Sequence, residues 1–455
     1  MLQVTSLKNT SFLKRFFSGV GATFINQLTS LANQFVSIGI FISFWGEMYY
    51  AEWILIYSYC QYLTMGDIGV SATLSNKIAS FIESKKTKEA SKWFINGWII
   101  STFFSLIFFI IIFSIILFFQ KNNIKYISQS ELYVFLSLLS IYLFIYIQSS
   151  LLSGIYSASL QFTRQKNIDT FAKLFDFIAI LISLNIGGRV ILTSALLILF
   201  RIIIFIFIIY DVKKRFHWIK LDTNDIQIST IAAIIKPAFA NMFLNLGYLL
   251  YYNGPVILVS NLLGNAYVPQ YYAIITIIRA AKQVPYLITL PLYPEYARLI
   301  ESKNLELARQ MHRVALRLTF ILAIIAILFI FFFSDFVIRM LLQNNSLIID
   351  TPFFVLCLVA LLLQSIWHAS SAVLVGSNNH IKLAYHFTLA SFLGYAVMIL
   401  SIETLKLTSV SLGLLLIDIF MTLTIFYQVF TLLDEKAKSF LHFDFTKINI
   451  LFRHD

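Results

Sequence analysis

Twelve long apolar segments, separated by short polar loops, constrain the fold of this chain more than any other feature. A helix of about 20 apolar residues crosses the hydrocarbon core of a bilayer, whereas a transmembrane β-strand is a ~10-residue segment of alternating polarity. The segments are continuous and lie at roughly 17–43, 48–75, 93–119, 131–156, 170–186, 190–210, 231–260, 267–296, 318–334, 351–375, 382–402 and 408–432. The sequence therefore predicts an all-α polytopic membrane protein with about twelve transmembrane helices.

The composition supports this class. Apolar residues make up 59% of the 455 residues, more than a soluble domain with a polar surface needs. The net charge of +12 is explained by basic loops on one side of a membrane, so no nucleic-acid partner is expected. The two cysteines, Cys60 and Cys357, lie inside apolar segments and indicate neither a disulfide nor a metal site.

The basic residues also predict the orientation in the membrane. If the N-terminus is cytoplasmic, nearly all lysines and arginines of the loops fall on the cytoplasmic side, as the positive-inside rule requires. The exceptions on the far side are Lys121, Lys125, Arg189, Arg339 and Lys406. No convincing cleavage site follows Lys14 and Arg15, so no cleaved signal peptide is expected. We therefore expect both termini in the cytoplasm.

The two halves of the chain resemble each other. A shift of 218 residues aligns Ile82-Glu83-Ser84-Lys85 with Ile300-Glu301-Ser302-Lys303, and the pair Gln148-Ser149 recurs as Gln364-Ser365. Because six spans is an even number, both halves have the same orientation and are related by an axis along the membrane normal. The expected domains are an N-terminal six-helix bundle at 1–220, a C-terminal six-helix bundle at 221–433 and a cytoplasmic tail at 434–455.

The segment from Tyr267 to Tyr296 carries two positive charges inside a predicted span. Arg279 and Lys282 are three residues apart and therefore share one face of a helix. A charge at membrane depth costs at least ~2.5 kcal/mol on insertion scales, so such residues usually face a watery cavity or a partner. We interpret both as substrate-binding residues, and a structural ion pair with a carboxylate on a neighbouring helix is the alternative.

Prolines are concentrated in predicted spans 7 and 8. Six of the seven prolines lie between Pro237 and Pro294. A proline removes a helix hydrogen bond and bends the helix. The predicted gating residues are therefore Gly254, Pro255 and Pro285, and a local drift in composition is the alternative explanation.

Asp67 and Asp418 lie inside other predicted spans. Asp67 is explained equally well as a helix cap near the cytoplasmic face and as a substrate-binding carboxylate that pairs with Arg279 or Lys282. Asp418 is alone in span 12, and both a structural and a coupling role stay open for it. Asp67 is thus assigned to the predicted substrate site, and Asp418 to the residues with a coupling or structural role.

Asp176 and Arg201 form a further predicted pair with a coupling or structural role. They flank the tight hairpin at Gly187-Gly188 at matching depths, since an α-helix rises 1.5 Å per residue. The spacing predicts an ion pair that holds the hairpin, with a role in coupling as the alternative. Span 1 is also unusually polar, and its Asn26 is expected either to join helices or to hydrogen-bond a glycan.

Motifs for catalysis and nucleotide binding are absent from the sequence. It contains no GxSxG, Walker A, HExxH or CxxC pattern. The protein is therefore expected not to be an enzyme and to need no cofactor. Transport would be driven by an H⁺ or Na⁺ gradient, the membrane potential or a substrate gradient.

Several short motifs resemble those of a known transporter family. They are Gly19-Val20-Gly21 at the start of span 1, the segment Met65–Ala72 in span 2, Asn76–Ala79 after it, and Lys236–Phe239 at the start of span 7. Together with the twelve spans and the repeat, they resemble the polysaccharide or O-antigen flippases of the multidrug/oligosaccharidyl-lipid/polysaccharide (MOP) exporter superfamily. The resemblance covers essentially the whole chain.

The resemblance implies a V-shaped pair of bundles with Asp67, Arg279 and Lys282 facing one cleft. Members of the group carry undecaprenyl-diphosphate-linked oligosaccharides, such as O-antigen units, across the bacterial inner membrane by alternating access. The implied partners are this lipid-linked substrate, membrane lipids, and the polymerase and chain-length machinery of polysaccharide assembly. Twelve spans rather than fourteen distinguish the chain from the lipid II flippase subgroup.

Three other functions stay open beside the predicted flippase. An ion-coupled multidrug or small-cation antiporter of the same fold would have a carboxylate-lined cavity, with Arg279 and Lys282 turned away from it. A polysaccharide polymerase or ligase would carry a long outer loop with catalytic residues, and the predicted loops are all short. The third is a structural scaffold in a glycan-assembly complex.

Overall fold

The computed structural model describes most of the chain as two compact units. The described residues are 2–119, 124–159, 161–219, 225–289, 292–342, 350–377 and 379–435. The units comprise residues 1–249 and 250–455, and the division falls inside one long helix. The predicted bundle boundary near residue 220 stays a prediction, and the predicted tail lies outside the described residues beyond Glu435.

The described part of the first unit contains seven helices and most of an eighth. They are α1 (Leu2–Trp45), α2 (Glu47–Gln61), α3 (Val70–Glu83), α4 (Thr87–Phe119), α5 (Gln129–Ala158), α6 (Phe162–Asn185), α7 (Val190–Arg215) and α8 (Ile228–Tyr252). Predicted spans 1, 3, 4, 5 and 6 each form one helix, whereas span 2 is divided between α2 and α3.

The second unit is helical as well in its described part. Its helices are α9 (Gly254–Leu262), α10 (Val268–Thr289), α11 (Leu292–Glu301), α12 (Leu305–Leu342), α13 (Thr351–Gly376), α14 (His380–Leu405) and α15 (Leu407–Leu433). Spans 9 to 12 each form one helix, whereas span 7 is divided between α8 and α9. The described residues of span 8 lie in α10 and α11, before and after residues 290–291.

The predicted fold class is confirmed. Within the described residues, nine helical segments are long and apolar enough to cross a membrane. The three predicted spans that do not meet this criterion are span 2, which is divided between α2 and α3, span 8, whose helix α10 carries Arg279 and Lys282, and span 5, whose helix α6 is charged. Two of these three spans therefore miss the criterion while their helices α6 and α10 carry charged residues, and span 2 is divided into two shorter helices.

Two glycines explain the break in span 2. After α2, a 3-10 turn runs over Tyr62–Asp67, and Gly69 has a φ of 74° before α3 begins. A Cβ on Gly69 would lie 2.4 Å from the Cβ of Asn241 in α8, and one on Gly66 would lie 2.5 Å from the Cα of Ser105 in α4. Only glycine fits these close approaches, which hold Asp67 at the end of the turn.

One of the two predicted bending points in the proline-rich helices coincides with a helix break. The break between α8 and α9 falls at Asn253, directly before Gly254 and Pro255. Pro285 lies inside α10, which continues to Thr289 before α11 begins. The helix is therefore interrupted at Asn253 but not at Pro285, and the gating role of Gly254, Pro255 and Pro285 stays a prediction.

Candidate functional site

A buried ion pair links α6 and α7 in the first unit. The guanidinium of Arg201 donates to the Asp176 carboxylate, and the Tyr142 hydroxyl of α5 donates to the same carboxylate at 2.8 Å. Arg201 also donates to the Tyr142 oxygen at 2.7 Å, and its guanidinium lies 5.2 Å from the ring centroid of Tyr146. The pair predicted from the hairpin spacing is present, and two tyrosines of a third helix complete it.

This ion pair lines a polar cavity of about 400 Å³ within the first unit. The volume is in the range of small-molecule binding sites. The charged residues that line the cavity are Lys166, Asp169, Lys173, Asp176 and Arg201. Three cations therefore face two carboxylates, and the cavity carries excess positive charge when all five are ionised.

Lys173 is a cation of this cavity that the sequence analysis missed. Its Nζ donates to Asn26 Oδ1 at 2.7 Å and to Ser30 Oγ at 2.6 Å, both in α1. Asp169 lies within 3.7 Å of Lys166, and no carboxylate of the described residues lies within ion-pair distance of Lys173. The signal in the sequence is the polar character of span 1, but the sequence does not show that this helix packs against α6.

Asp67 caps α3 and also lines a second polar cavity. Its carboxylate accepts hydrogen bonds from the Ser71 backbone N–H at 3.1 Å, the Ser71 hydroxyl at 2.8 Å and the Ser101 hydroxyl at 3.2 Å. The cavity measures about 300 Å³ and has Gln61 and Tyr146 in its wall. The cap considered in the sequence analysis is therefore present, while pairing with Arg279 or Lys282 stays a prediction.

Arg279 and Lys282 lie together in the second unit, covered by tyrosines. Lys282 is 4% exposed, donates to the Tyr252 hydroxyl, and has its Nζ 4.7 Å and 4.9 Å from the ring centroids of Tyr252 and Tyr286. Arg279 donates to the carbonyl oxygen of Tyr252, and its guanidinium lies 4.8 Å from the same ring. Both cations therefore share a helix face, and their contacts are neutral oxygens and aromatic rings.

The space beside these two cations is small. A void of about 20 Å³ adjoins Arg279 and Lys282, enough for about one water molecule. The same void is bordered by Tyr251 and Tyr252 of α8. A larger ligand could reach the two cations only after a tyrosine moved.

Asp418 lies close to this cluster, fully buried in α15. It accepts a hydrogen bond from the Tyr251 hydroxyl at 2.7 Å and another from Trp367 Nε1 at 2.9 Å. No cation of the described residues lies within ion-pair distance of it. The Tyr251 ring centroid lies 5.8 Å from Lys282 Nζ, so this tyrosine connects the acid with the cation.

Other buried acids fasten loops and helix ends. Glu52 of α2 accepts hydrogen bonds from the backbone N–H groups of Lys125, Tyr126 and Ile127 at 2.6 to 3.0 Å. Asp211 of α7 accepts from Arg164 at 2.6 Å. These acids are satisfied by structural donors, so we assign them no transport role.

The described residues contain no group of three or more His, Cys, Asp or Glu side chains that could hold a metal ion. The carboxylates of Asp67, Asp176 and Asp418 each have a different set of hydrogen-bond donors. The expected absence of a cofactor and the coupling to H⁺ or Na⁺ both stay predictions.

Comparison with known proteins identifies the fold. No protein-family model and no curated protein sequence matches the chain. An inward-facing multidrug resistance MATE family transporter of the MOP superfamily is 15% identical, with a TM-score of 0.70 over 90% of this chain and 94% of that chain. A eukaryotic MATE transporter is 13% identical, with a TM-score of 0.71 over 94% of this chain and 100% of that chain.

A flippase has the same fold. The lipid II flippase MurJ, in an inward closed conformation, is 16% identical, with a TM-score of 0.69 over 95% of this chain and 90% of that chain. At such identities the likeness concerns the fold, which is therefore that of MOP transporters. These neighbours are transporters and a flippase, and the expectation that this chain is not an enzyme stays a prediction.

Proposed function

We propose that this protein flips an anionic, lipid-linked oligosaccharide across the bacterial inner membrane by alternating access. The substrate would be an undecaprenyl-diphosphate-linked unit of O-antigen or another surface polysaccharide, as the motif resemblance implies. The observation that carries the proposal is that three embedded cations, Lys173, Arg279 and Lys282, are held by neutral atoms and aromatic faces.

A charge away from water is costly unless it is paired. Lys173 already faces a cavity of about 400 Å³, so a ligand anion can supply the pairing there without displacing a carboxylate. Diphosphate oxygens suit both residue types, since arginine binds them bidentately and lysine binds them as a point charge. The amides and hydroxyls of the cavity, including Asn26, Gln61 and Tyr57, are suited to sugar hydroxyls.

A second candidate is the ion-coupled multidrug or small-cation antiporter. The observation that favours it is Asp418, which is fully buried and is held by the neutral donors Tyr251 and Trp367. Such a carboxylate can exchange a proton for a cation. The MATE family neighbours have the same fold, so fold alone does not separate the two candidates.

The test is surface polysaccharide in a strain that lacks the gene. The strain is complemented with the wild type, with Arg279→Ala/Lys282→Ala, or with Lys86→Ala/Lys88→Ala, all at matched membrane levels. The control removes the same charge from exposed positions near the α3–α4 connection. We expect no polymer and trapped lipid-linked units on the inner leaflet in the deletion strain, and rescue by the wild type and the control but not by the first variant.

Two results would change this conclusion. Full rescue by Arg279→Ala/Lys282→Ala would reject these cations as a substrate site. Normal surface polymer in the deletion strain, with no second flippase present, would reject the flippase. Drug sensitivity in that strain, corrected by the wild type but not by Asp418→Asn, would then establish the antiporter.

A further inference from the structure

An apolar groove of about 170 Å³ lies between α4 and α5 on the first unit. Its lining residues are Leu63, Ser105, Leu106, Phe109, Ser140, Ile141, Phe144 and Ile147. Leu106 and Ile141 are 51% and 46% exposed, so the groove opens on an apolar surface of the kind that membrane lipid covers. The groove is therefore accessible from the bilayer rather than from water.

Two small residues create the space. Ser105 of α4 and Ser140 of α5 occupy positions in the wall whose other members are leucine, isoleucine and phenylalanine. The Ser105 hydroxyl is buried and has no hydrogen-bond partner among the described residues, so it does not stabilise the unit. Its effect on the structure is to leave room that a leucine would fill.

The groove lies near the middle of both helices. Ser105 is close to the centre of α4, which has 33 residues, and Ser140 is close to the centre of α5, which has 30. Helices of these lengths exceed the ~20 residues that cross the hydrocarbon core, so their centres lie near the bilayer midplane. The groove is thus at the depth where lipid tails end.

Polar space lies directly behind the groove. Ile147 lines the groove and also the cavity of about 300 Å³ that contains Asp67. Tyr146, Ser150 and Gln61 line that cavity and also the charged cavity of about 400 Å³. One face of α5 therefore borders the apolar groove. The adjacent face borders the cavity that contains Asp67 and the charged cavity of about 400 Å³.

We propose that this groove holds the isoprenoid tail of the lipid-linked substrate while its charged head group occupies the polar space behind Ile147. The inference rests on the proposed function and adds where the tail lies. Lipid tails are as apolar as the groove, so the transfer from bilayer to groove carries little hydrophobic driving force. The groove therefore positions the tail and keeps it in contact with lipid while the head group crosses.

The test uses undecaprenyl diphosphate with a photoreactive diazirine on its tail. The purified full-length chain in nanodiscs is irradiated, and cross-linked peptides are identified. We expect saturable cross-links to α4 and α5 in the wild type and about a tenfold loss in Ser140→Phe, which fills the groove and removes ~1.4 kcal/mol of tail packing. The matched control is Ser114→Phe, on the exposed face of α4, where no loss is expected.

A second variant covers the case in which Ser140→Phe does not fold. Ile141→Cys lies at the exposed rim and can be modified with N-phenylmaleimide after folding, while the native Cys60 and Cys357 are buried. The modified protein should lose the cross-links, and the unmodified variant should keep them.

The outcomes separate this inference from the proposed function. If saturable cross-links map to other helices, or persist in Ser140→Phe and in modified Ile141→Cys, the groove is not the tail site although the flippase stands. Equal labelling of the groove by a diazirine phosphatidylethanolamine would make it a general lipid contact and overturn the inference. Absence of saturable binding of undecaprenyl diphosphate to the wild type would overturn both proposals.

Discussion

The two units hold their embedded charges in different ways. In the first, Arg201 is paired with Asp176, and the pair borders a cavity of about 400 Å³. In the second, Arg279 and Lys282 are covered by tyrosine rings beside a void of about 20 Å³. There is therefore room for a ligand beside the ion pair of the first unit, whereas the space beside Arg279 and Lys282 holds about one water molecule.

The difference has an energetic consequence. An ion pair in a medium of low dielectric constant is strongly coupled, because removal of one partner leaves the other charge uncompensated. Contacts between a cation and neutral oxygens or aromatic faces are individually weaker, about 0.5–2 kcal/mol for each aromatic contact. Loss of one charge from the Asp176–Arg201 pair should therefore destabilise the first unit strongly, whereas loss of Arg279 or Lys282 should change the second unit less.

The largest expected effect is that of Asp176→Asn. It leaves Arg201 buried without its carboxylate and should cost about 3–5 kcal/mol of stability. The double variant Asp176→Leu/Arg201→Met removes both charges and should be less destabilised than the single variant. The measurements are the melting temperature in detergent and the amount of protein in the membrane. If the double variant loses as much stability as Asp176→Leu and Arg201→Met lose together when each is measured alone, the pair is not coupled.

A smaller effect is expected for Tyr251→Phe in the second unit. It removes one of the two donors to Asp418 and should cost about 1–3 kcal/mol, which the same melting experiment would measure. Tyr271→Phe is the matched control, since the Tyr271 hydroxyl is buried without a hydrogen-bond partner among the described residues. Equal losses in both variants would mean that the hydrogen bond to Asp418 contributes nothing.

The third prediction compares Lys173 with Lys282 in transport. Lys173→Gln removes a charge from a cavity with room for a ligand and should lower polymer export about tenfold, or ~1.4 kcal/mol. Lys282→Gln should have a smaller effect because tyrosines cover that charge. Lys173→Arg keeps the charge and should retain most activity. An equal or larger defect in Lys282→Gln would move the main substrate contact to the second unit.

The smallest effect concerns Glu435, which follows α15 and fastens the end of the second unit. Burial raises the pKa of Glu435, but the nearby His312 ring, 3.7 Å away, and the hydrogen bond from Arg313 at 2.6 Å outweigh burial and hold that pKa below its usual value. The stability it contributes is therefore present above the unfolded pKa of about 4.3 and is lost as the pH falls through the lower folded pKa.

The measurement is the difference in melting temperature between the wild type and Glu435→Gln as a function of pH. The difference in melting temperature should be constant near neutral pH and should decrease towards zero as the pH falls below about 4.3. Glu306→Gln is the control, because Glu306 is an exposed acid of α12 paired with Arg309. A difference in melting temperature that does not change with pH would show that the Glu435 carboxylate is not stabilised in its charged form.

The sequence predicted the Asp176–Arg201 pair but not the contact between Lys173 and Asn26. Asp176 and Arg201 are 25 residues apart in one hairpin, so the helical rise per residue was sufficient to predict that they lie at the same depth. Lys173 and Asn26 are 147 residues apart, and their contact depends on how α1 packs against α6. The contact between residues close together in the chain could therefore be predicted, and the contact between residues far apart in the chain could not.

The sequence by itself determined that the chain is a set of membrane helices and that one of them breaks at Asn253-Gly254-Pro255, because apolar length, proline and glycine act locally. The tertiary structure decided which charges are paired, which are covered by tyrosines and which face a cavity. The physical reason is that lipid and protein interior are both apolar, so hydrophobicity does not set how a membrane helix is rotated. Packing between distant side chains sets that rotation, and with it the chemistry of the interior.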